Sequence, residues 1–263
     1  MIRSILPPKA YDALRRTSKE VKLATIYKGD AVECFFCGNT FSKFKPHGID
    51  VPILSELQVV SGGVRDTTCP RCGSYDRERL LYLFVERRTD LLSGGKKVLD
   101  IAPADNLGAK IKASPGIDYT SGDLLRTDVM VKLDVTDIQF PDETFDAVMC
   151  NHVMEHVPDD RKAMREIRRV LKPGGWALVL VPYSKVLKET IEDPTAATPE
   201  ERLRRFGQDD HIRIYALPDY LARLRESGLE VEVIPFVSQL DPEEVRRYAL
   251  IGETDIILAR RPA

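Results

Sequence analysis

Two short motifs in this 263-residue chain carry obvious coordination chemistry, Cys34-Phe35-Phe36-Cys37-Gly38 and Cys69-Pro70-Arg71-Cys72-Gly73, with 31 residues between the pairs. Two thiolates three positions apart grip one side of a tetrahedral ion. The Gly that follows permits the turn that brings backbone N–H groups back toward the sulfurs. Together Cys34, Cys37, Cys69 and Cys72 make a closed shell with no open position, which suits a structural ion and not a catalytic one. Zinc is the ion this set favours; iron in a rubredoxin-like site, or two disulfides or redox pairs, are the competing readings. A reducing cytosol disfavours the disulfides. Binding free energy of roughly 10–16 kcal/mol would largely decide whether so small a region folds. With four thiolates available, His47 between the knuckles reads as a loop residue, and Cys150, ending an apolar run, as a small core residue.

A second set of residues recurs at intervals along the rest of the chain: Asp100-Ile101-Ala102-Pro103-Ala104-Asp105, then Asp123-Leu124, Asp134-Val135 and Asn151-His152. Asp123 lies 23 positions after Asp100, and Asp134 lies 11 further on. An acid about 20 residues beyond the first strand of an open parallel sheet is placed to accept hydrogen bonds from ribose hydroxyls. Asp134 can accept from an adenine amino group while the Val135 N–H meets a ring nitrogen. Any one of these acids alone reads as a turn or cap residue; the ordered set reads as a nucleoside site. A dinucleotide is disfavoured, because Ala-Pro-Ala-Asp-Asn supplies no glycine-rich cradle for a pyrophosphate and puts Asp105 where phosphate would sit.

The elements that must position these residues follow from the hydrophobic pattern. Strands are expected at Lys97–Ile101, Phe145–Cys150, Trp176–Val181 and Asp255–Arg260. A helix begins near Pro158 to Asp160, with Met164, Ile167, Val170 and Leu171 at helical spacing, and ends at Lys172-Pro173-Gly174-Gly175. Another runs from about Pro218 to Glu226. After the second knuckle, Ser74 reads as the N-cap of a helix whose apolar face is Leu80, Leu81, Phe84 and Val85. Its Arg77, Arg79, Arg87 and Arg88 read as a solvated face. Alternating strands and helices imply βαβ units and an α/β fold. LLSGGKK, Leu91 to Lys97, divides residues 1–90, an N-terminal helix plus cysteine module, from 91–263, the α/β domain.

Composition narrows the function classes. Lys and Arg number 39 against 41 Asp and Glu, a net charge of −2 that argues against sequence-independent wrapping of nucleic acid. Residues 1–90 hold 15 basic and 11 acidic residues, so the front is mildly basic and the body mildly acidic. No apolar run approaches the roughly 20 residues that span a bilayer, and Met1 to Asp12 makes a poor secretory signal. The expectation is a cytoplasmic protein without a membrane partner.

Residues 97–183 resemble the class I S-adenosylmethionine-dependent methyltransferases. The most specific stretch is FPDETFDAVMCNHVMEHVPDDRKAMREIRRVLKPGGWALVLVP, Phe140 to Pro182, with its acid before the fourth strand, its "HVMEHV" and its "RVLKPGG". Arg205 to Tyr215, RFGQDDHIRIY, resembles a segment of a bacterial subgroup that often carries cysteine knuckles upstream; together the likeness covers about residues 70–260. It departs from the family at the first loop, where Ala102 replaces the expected Gly and Pro103 removes an N–H donor. The resemblance implies a Rossmann-like, mostly parallel sheet with an antiparallel last strand, preceded by a small zinc-ribbon-like module. It implies S-adenosylmethionine held by Asp100, Ala102, Pro103, Asp123, Leu124, Asp134, Val135, Asn151 and His152.

Methyl transfer is an in-line displacement, so the protein has to align two reactants, and an oxygen acceptor also needs a base. His152 and His156, four apart on one expected helical turn, superficially suit a metal pair. The resemblance instead puts His152 at the pocket edge, His156 in packing, and Glu155 in contact with one of them. His211 lies in a long connection, residues 184–217, that includes Pro194 and Pro199 and is expected to cover the substrate. There His211 is the candidate base, with Tyr183 as the alternative and His152 nearby, and Asp209, Asp210 and Arg213 as partners. A His–Asp pair that only pins the loop is the structural reading. The expected acceptor is a small molecule or sugar-containing metabolite, methylated at O or N. The rivals are an RNA methyltransferase gripping RNA through the zinc module, and a non-catalytic scaffold.

Overall fold

The structure, a computed structural model, describes residues 8–193, 195–251 and 254–263; Pro194 and the first seven residues of the N-terminal stretch lie outside the described residues. The chain opens with α1 (Pro8–Ala24), the hairpin β1 (Val32–Cys34) and β2 (Asn39–Phe41), and β3 (Lys45–His47). Next come α2 (Pro52–Glu56), β4 (Arg65–Thr68), which pairs with β3, and α3 (Asp76–Arg88). The α/β part follows as β5 (Lys96–Ile101), α4 (Asp105–Lys112), β6 (Ile117–Asp123), β7 (Val131–Lys132), β8 (Phe145–Cys150), α5 (Asp160–Val170) and β9 (Leu171–Leu178). The connection expected over 184–217 contains β10 (Tyr183–Ser184), β11 (Ile191–Glu192), α6 (Pro199–Phe206) and β12 (Arg213–Ala216). The chain ends with α7 (Leu217–Glu226), β13 (Glu230–Ile234), α8 (Pro242–Arg247) and β14 (Ile256–Arg260).

Seven strands form one sheet in the order β13-β14-β9-β8-β5-β6-β7. The pairs β5–β6, β5–β8, β6–β7 and β8–β9 are parallel, while β14 runs antiparallel to both β9 and β13. The α/β class and the antiparallel last strand are therefore as the sequence implied. Parallel strands are buried on both faces, hence the near-continuous apolar runs in β5, β8 and β9. Leu99, Ile101, Val148 and Cys150 pack on one face with Met164, Ile167 and Val170 of α5. Val98, Ala147, Met149 and Leu178 pack on the other with Leu80, Leu81, Phe84 and Val85 of α3. The helix after the second knuckle is thus a layer of the α/β core, and the core is continuous across residue 90.

Three local expectations change. Ser74 is not the cap of α3: Tyr75 is, and Ser74 is buried with its hydroxyl 3.1 Å from Cys34 Sγ. Arg79 is fully buried, because its guanidinium donates to the carbonyls of Thr67, Ser74 and Tyr248 and so ties both halves of the chain together. Lys172 to Gly175 are part of β9, the helix having ended at Val170.

Candidate functional site

Strand order reverses direction between β5 and β8, and ligands in open α/β sheets bind beyond the carboxyl ends of strands at such a point. A cleft of about 430 Å³ opens there. Asp100, Ala102, Pro103, Asn151 and His152 line it, together with Cys72, Tyr75, Arg77 and Glu78 from the cysteine region. Ala102, just past β5, and His152, just past β8, have φ of 51° and 57°, the left-handed region that non-glycine residues seldom adopt. Asn151 Oδ1 accepts the Leu180 N–H, and the His152 N–H is donated to the Leu180 carbonyl, fixing that turn.

Asp100 is buried at the floor of this cleft and accepts a 2.7 Å hydrogen bond from the Tyr119 hydroxyl. Burial pushes its carboxyl up to about 7, against the pull of Tyr119 and Arg126. Tyr119 is close enough to α4 that a Cβ on Gly108 would meet its hydroxyl at 2.5 Å, so Gly108 is what lets helix and strand approach. No sequence signal pointed to Glu78. Its Oε2 accepts from the N–H groups of Asn106 and Leu107 at 3.1 Å each, and its Oε1 accepts from Tyr75. A carboxylate already occupies the N-terminus of α4, the place where a dinucleotide's pyrophosphate would bind.

The residues expected on the adenosine side lie at and beyond the ends of β6 and β7. Asp123 Oδ1 accepts from Leu125 and Arg126 N–H, Asp134 Oδ1 accepts from Thr136 N–H and hydroxyl, Leu124 is half-exposed, and Val135 is buried in the core. None of these four lines the 430 Å³ cleft. Arg126 spans the gap instead, donating to the Pro103 carbonyl, Asp105 and Asp128.

A second cavity, of about 190 Å³, lies between the β3–β4 region and the connection after β9, and Arg77 lines both cavities. His47 is in its wall and stacks on Tyr75 at 4.1 Å, so it is a cavity residue and not an ordinary loop residue. His211 lies in the opposite wall, only 4% exposed, with burial taking its imidazole down to about 4. Its ring packs edge-on against His156, with centroids 4.7 Å apart. His152 and His156 do not share an α-helical turn: a 3₁₀ turn, Met154–His156, follows the left-handed His152. Glu155 is 1% exposed, with Oε1 3.5 Å from His152 Nδ1 and Oε2 without a hydrogen-bond partner. Ligand atoms of Glu155, His156 and His211 all lie within 4.8 Å of one another, a set able to relay a proton or hold a cation.

Two other expected roles shift. Tyr183 is in the core, its hydroxyl donating to Asp255 at 2.9 Å, and it lines neither cavity. Arg213 is 2% exposed and donates to the carbonyls of Met154, Val157 and Pro158 and to Glu192, pinning the connection to the turn after β8. Asp209 is exposed, while Asp210 Oδ2 is 3.4 Å from His156 Nδ1.

The four cysteine sulfurs converge, with Cys34–Cys72 at 3.6 Å and Cys37–Cys69 at 3.7 Å. Zn–S bonds of about 2.3 Å in a tetrahedron require sulfurs about 3.8 Å apart, so the shell fits a zinc ion. Cys150 is a fully buried core residue, as its place in β8 implied.

Residues 101–179 match the family model described as a methyltransferase domain. The 27-O-demethylrifamycin SV methyltransferase of Amycolatopsis mediterranei (strain S699) is 36% identical over 110 residues, 40% of this chain and 37% of that protein. The ubiquinone biosynthesis O-methyltransferase of Thiobacillus denitrificans (strain ATCC 25259 / T1) is 27% identical over 190 residues, 66% of this chain and 79% of that protein. The chain spans about a third to a half of the length of several such curated relatives. Among solved structures, the [4+2]-cyclase SpnF aligns with a TM-score of 0.51 at 20% identity, covering 82% of this chain and 100% of that one, a likeness of fold. Residues 101–179 therefore carry a methyltransferase domain, and the sheet that holds them is Rossmann-like.

Proposed function

We propose that this protein transfers a methyl group from S-adenosylmethionine to an oxygen or nitrogen of a small-molecule acceptor. The carrying observation is the pairing of two cavities through Arg77, one at the strand ends and acid-lined, the other walled by His211 and His47. Curated relatives act, by their names, on rifamycin and quinone intermediates, which agrees with a small-molecule acceptor. The cofactor supplies an activated methyl on a sulfonium. Asp100 and the carboxylates near it suit a positively charged ligand, while the Glu78-capped α4 discourages a pyrophosphate.

In this reading His211 is the base for an oxygen acceptor. Its burial keeps the imidazole unprotonated near neutral pH, and Glu155 beside it stabilises the imidazolium formed when it takes the proton. His152 borders the cofactor cleft, and Asp123, Leu124, Asp134 and Val135, at and beyond the ends of β6 and β7, are assigned the adenosine end by the family resemblance and not by the lining of the cleft. Residues 1–90 contribute a four-cysteine zinc module that shapes the cofactor cleft through Cys72, Gly73 and Glu78. Calorimetry tests the reading: S-adenosylmethionine should bind at micromolar concentration and NAD should give no heat. Absence of heat from S-adenosylmethionine refutes it.

A further inference from the structure

Resting on the methyltransferase reading, the composition of the second cavity says more about the acceptor. Its charged and titratable wall residues are His47, Arg65, Arg77, His211 and Arg213; none of the described residues lining it is an Asp or a Glu. The neighbouring cofactor cleft, by contrast, has Glu78, Asp100 and Asp105 in its wall. The first cleft therefore mixes these acids with Arg77 and Arg126, while the second cavity has basic groups and no acid in its described wall.

The arginines of the second cavity differ in what already holds them. Arg213 has four acceptors for its terminal nitrogens, Glu192 among them, which leaves it a structural clamp. Arg65 donates from one terminal nitrogen to the Gly62 carbonyl, and no described carboxylate lies within ion-pair distance of Arg65 or Arg77. Arg77 rests only on the Tyr75 ring, 5.2 Å from its centroid. The Nε–H groups of Arg65 and of the almost fully buried Arg213 are both shut away from solvent without an acceptor. The charge of the buried Asp76 is felt at the wall by His47, but Asp76 makes no ion-pair contact with either arginine. Two half-buried guanidinium groups without a carboxylate in contact, beside orphaned donors and without an acid in the wall, are completed best by an anion.

We infer that the acceptor carries an anionic group, a carboxylate or a phosphate, which Arg65 and Arg77 hold in this cavity while the accepting atom faces His211. Planar guanidinium forks suit either oxyanion, and their spacing across β4 and the start of α3 makes the anion a handle that orients the acceptor against the cofactor. The proton-accepting His211 and the anion-binding pair sit in one cavity, so the handle and the reacting group belong to the same small molecule.

The test uses the full, zinc-loaded chain, titrated by calorimetry with inorganic phosphate, benzoate and uncharged benzamide, each with and without S-adenosylmethionine. At least one anion should bind while benzamide does not, and whichever binds identifies phosphate or carboxylate as the handle. Arg65→Gln should weaken that anion about tenfold or more, Arg65→Lys should restore part of the loss, and cofactor affinity should stay unchanged. Arg77→Gln provides a second neutralisation should Arg65→Gln fail to fold, and it should weaken the anion by a comparable factor. Binding of neither anion, binding of benzamide as tight as benzoate, or anion binding indifferent to the substitutions overturns the inference. Failure of S-adenosylmethionine to bind refutes the methyltransferase reading alone, because the anion titrations without cofactor still decide this one.

Discussion

If Asp100 faces the cofactor as proposed, binding should be a proton-linked event. Its carboxyl is fully buried and titrates at about 7, displaced upward by burial and held back by the Tyr119 hydrogen bond and the Arg126 charge, with Glu78 adding to the rise. The ionised form is the one able to face a cationic ligand. For a group titrating at about 7, about one molecule in ten is ionised at pH 6 and about nine in ten at pH 8. The affinity for S-adenosylmethionine should therefore rise about tenfold between those pH values, about 1.4 kcal/mol, with about half a proton released on binding at pH 7. Calorimetry in buffers of different ionisation enthalpy measures both quantities. Asp100→Asn should bind more weakly and with no proton release, and Tyr119→Phe should move the transition to higher pH. Stability without cofactor has the opposite trend. A folded-state value above the unfolded one favours the protonated fold below about pH 4, and that contribution is lost as pH rises through about 7. An affinity that is flat from pH 6 to 8, with no buffer-dependent heat, refutes the reasoning.

Three further outcomes are expected. Metal analysis should find one zinc per chain, and Cys37→Ser or a strong chelator should lower the melting temperature and abolish S-adenosylmethionine binding together, since Cys72 and Gly73 line the cofactor cleft. Glu78→Gln should lose about 1–3 kcal/mol in urea unfolding, because a buried charged acceptor of three backbone N–H groups is replaced by a weaker one. Gly108→Ala should lose about 1–3 kcal/mol and weaken cofactor binding, because the added Cβ meets the Tyr119 hydroxyl that positions Asp100; wild-type stability and affinity in that variant would contradict the packing argument.

Local signals were enough for the elements and the metal shell. Two C-x-x-C-G knuckles declare four ligands because coordination distance and the turn after each pair are set within five residues, and the sulfurs do converge. Apolar runs in β5, β8 and β9 declare buried parallel strands because burial on both faces removes the polar alternation. The ends of those strands then locate Asp100, Asn151 and His152. Spacing was less informative where a side chain had a choice of partners: Asp123 and Asp134 satisfy nearby backbone N–H groups, and no one-dimensional pattern tells a turn cap from a ligand contact.

Short-range spacing, then, was sufficient for the fold class, the cysteine shell and the strand ends that line the cleft. Packing between distant segments settled the rest. It turned Arg79 from an assumed surface residue into a buried tie, gave Glu78 to the first turn of α4, and moved Tyr183 from the candidate site into the core. It also set Arg65 and Arg77 opposite His211 in one cavity, although up to 146 positions separate them along the chain. The physical reason is common to all of these. A charged side chain is defined by the partner that compensates it, and that partner is chosen by three-dimensional contact, which local periodicity does not encode.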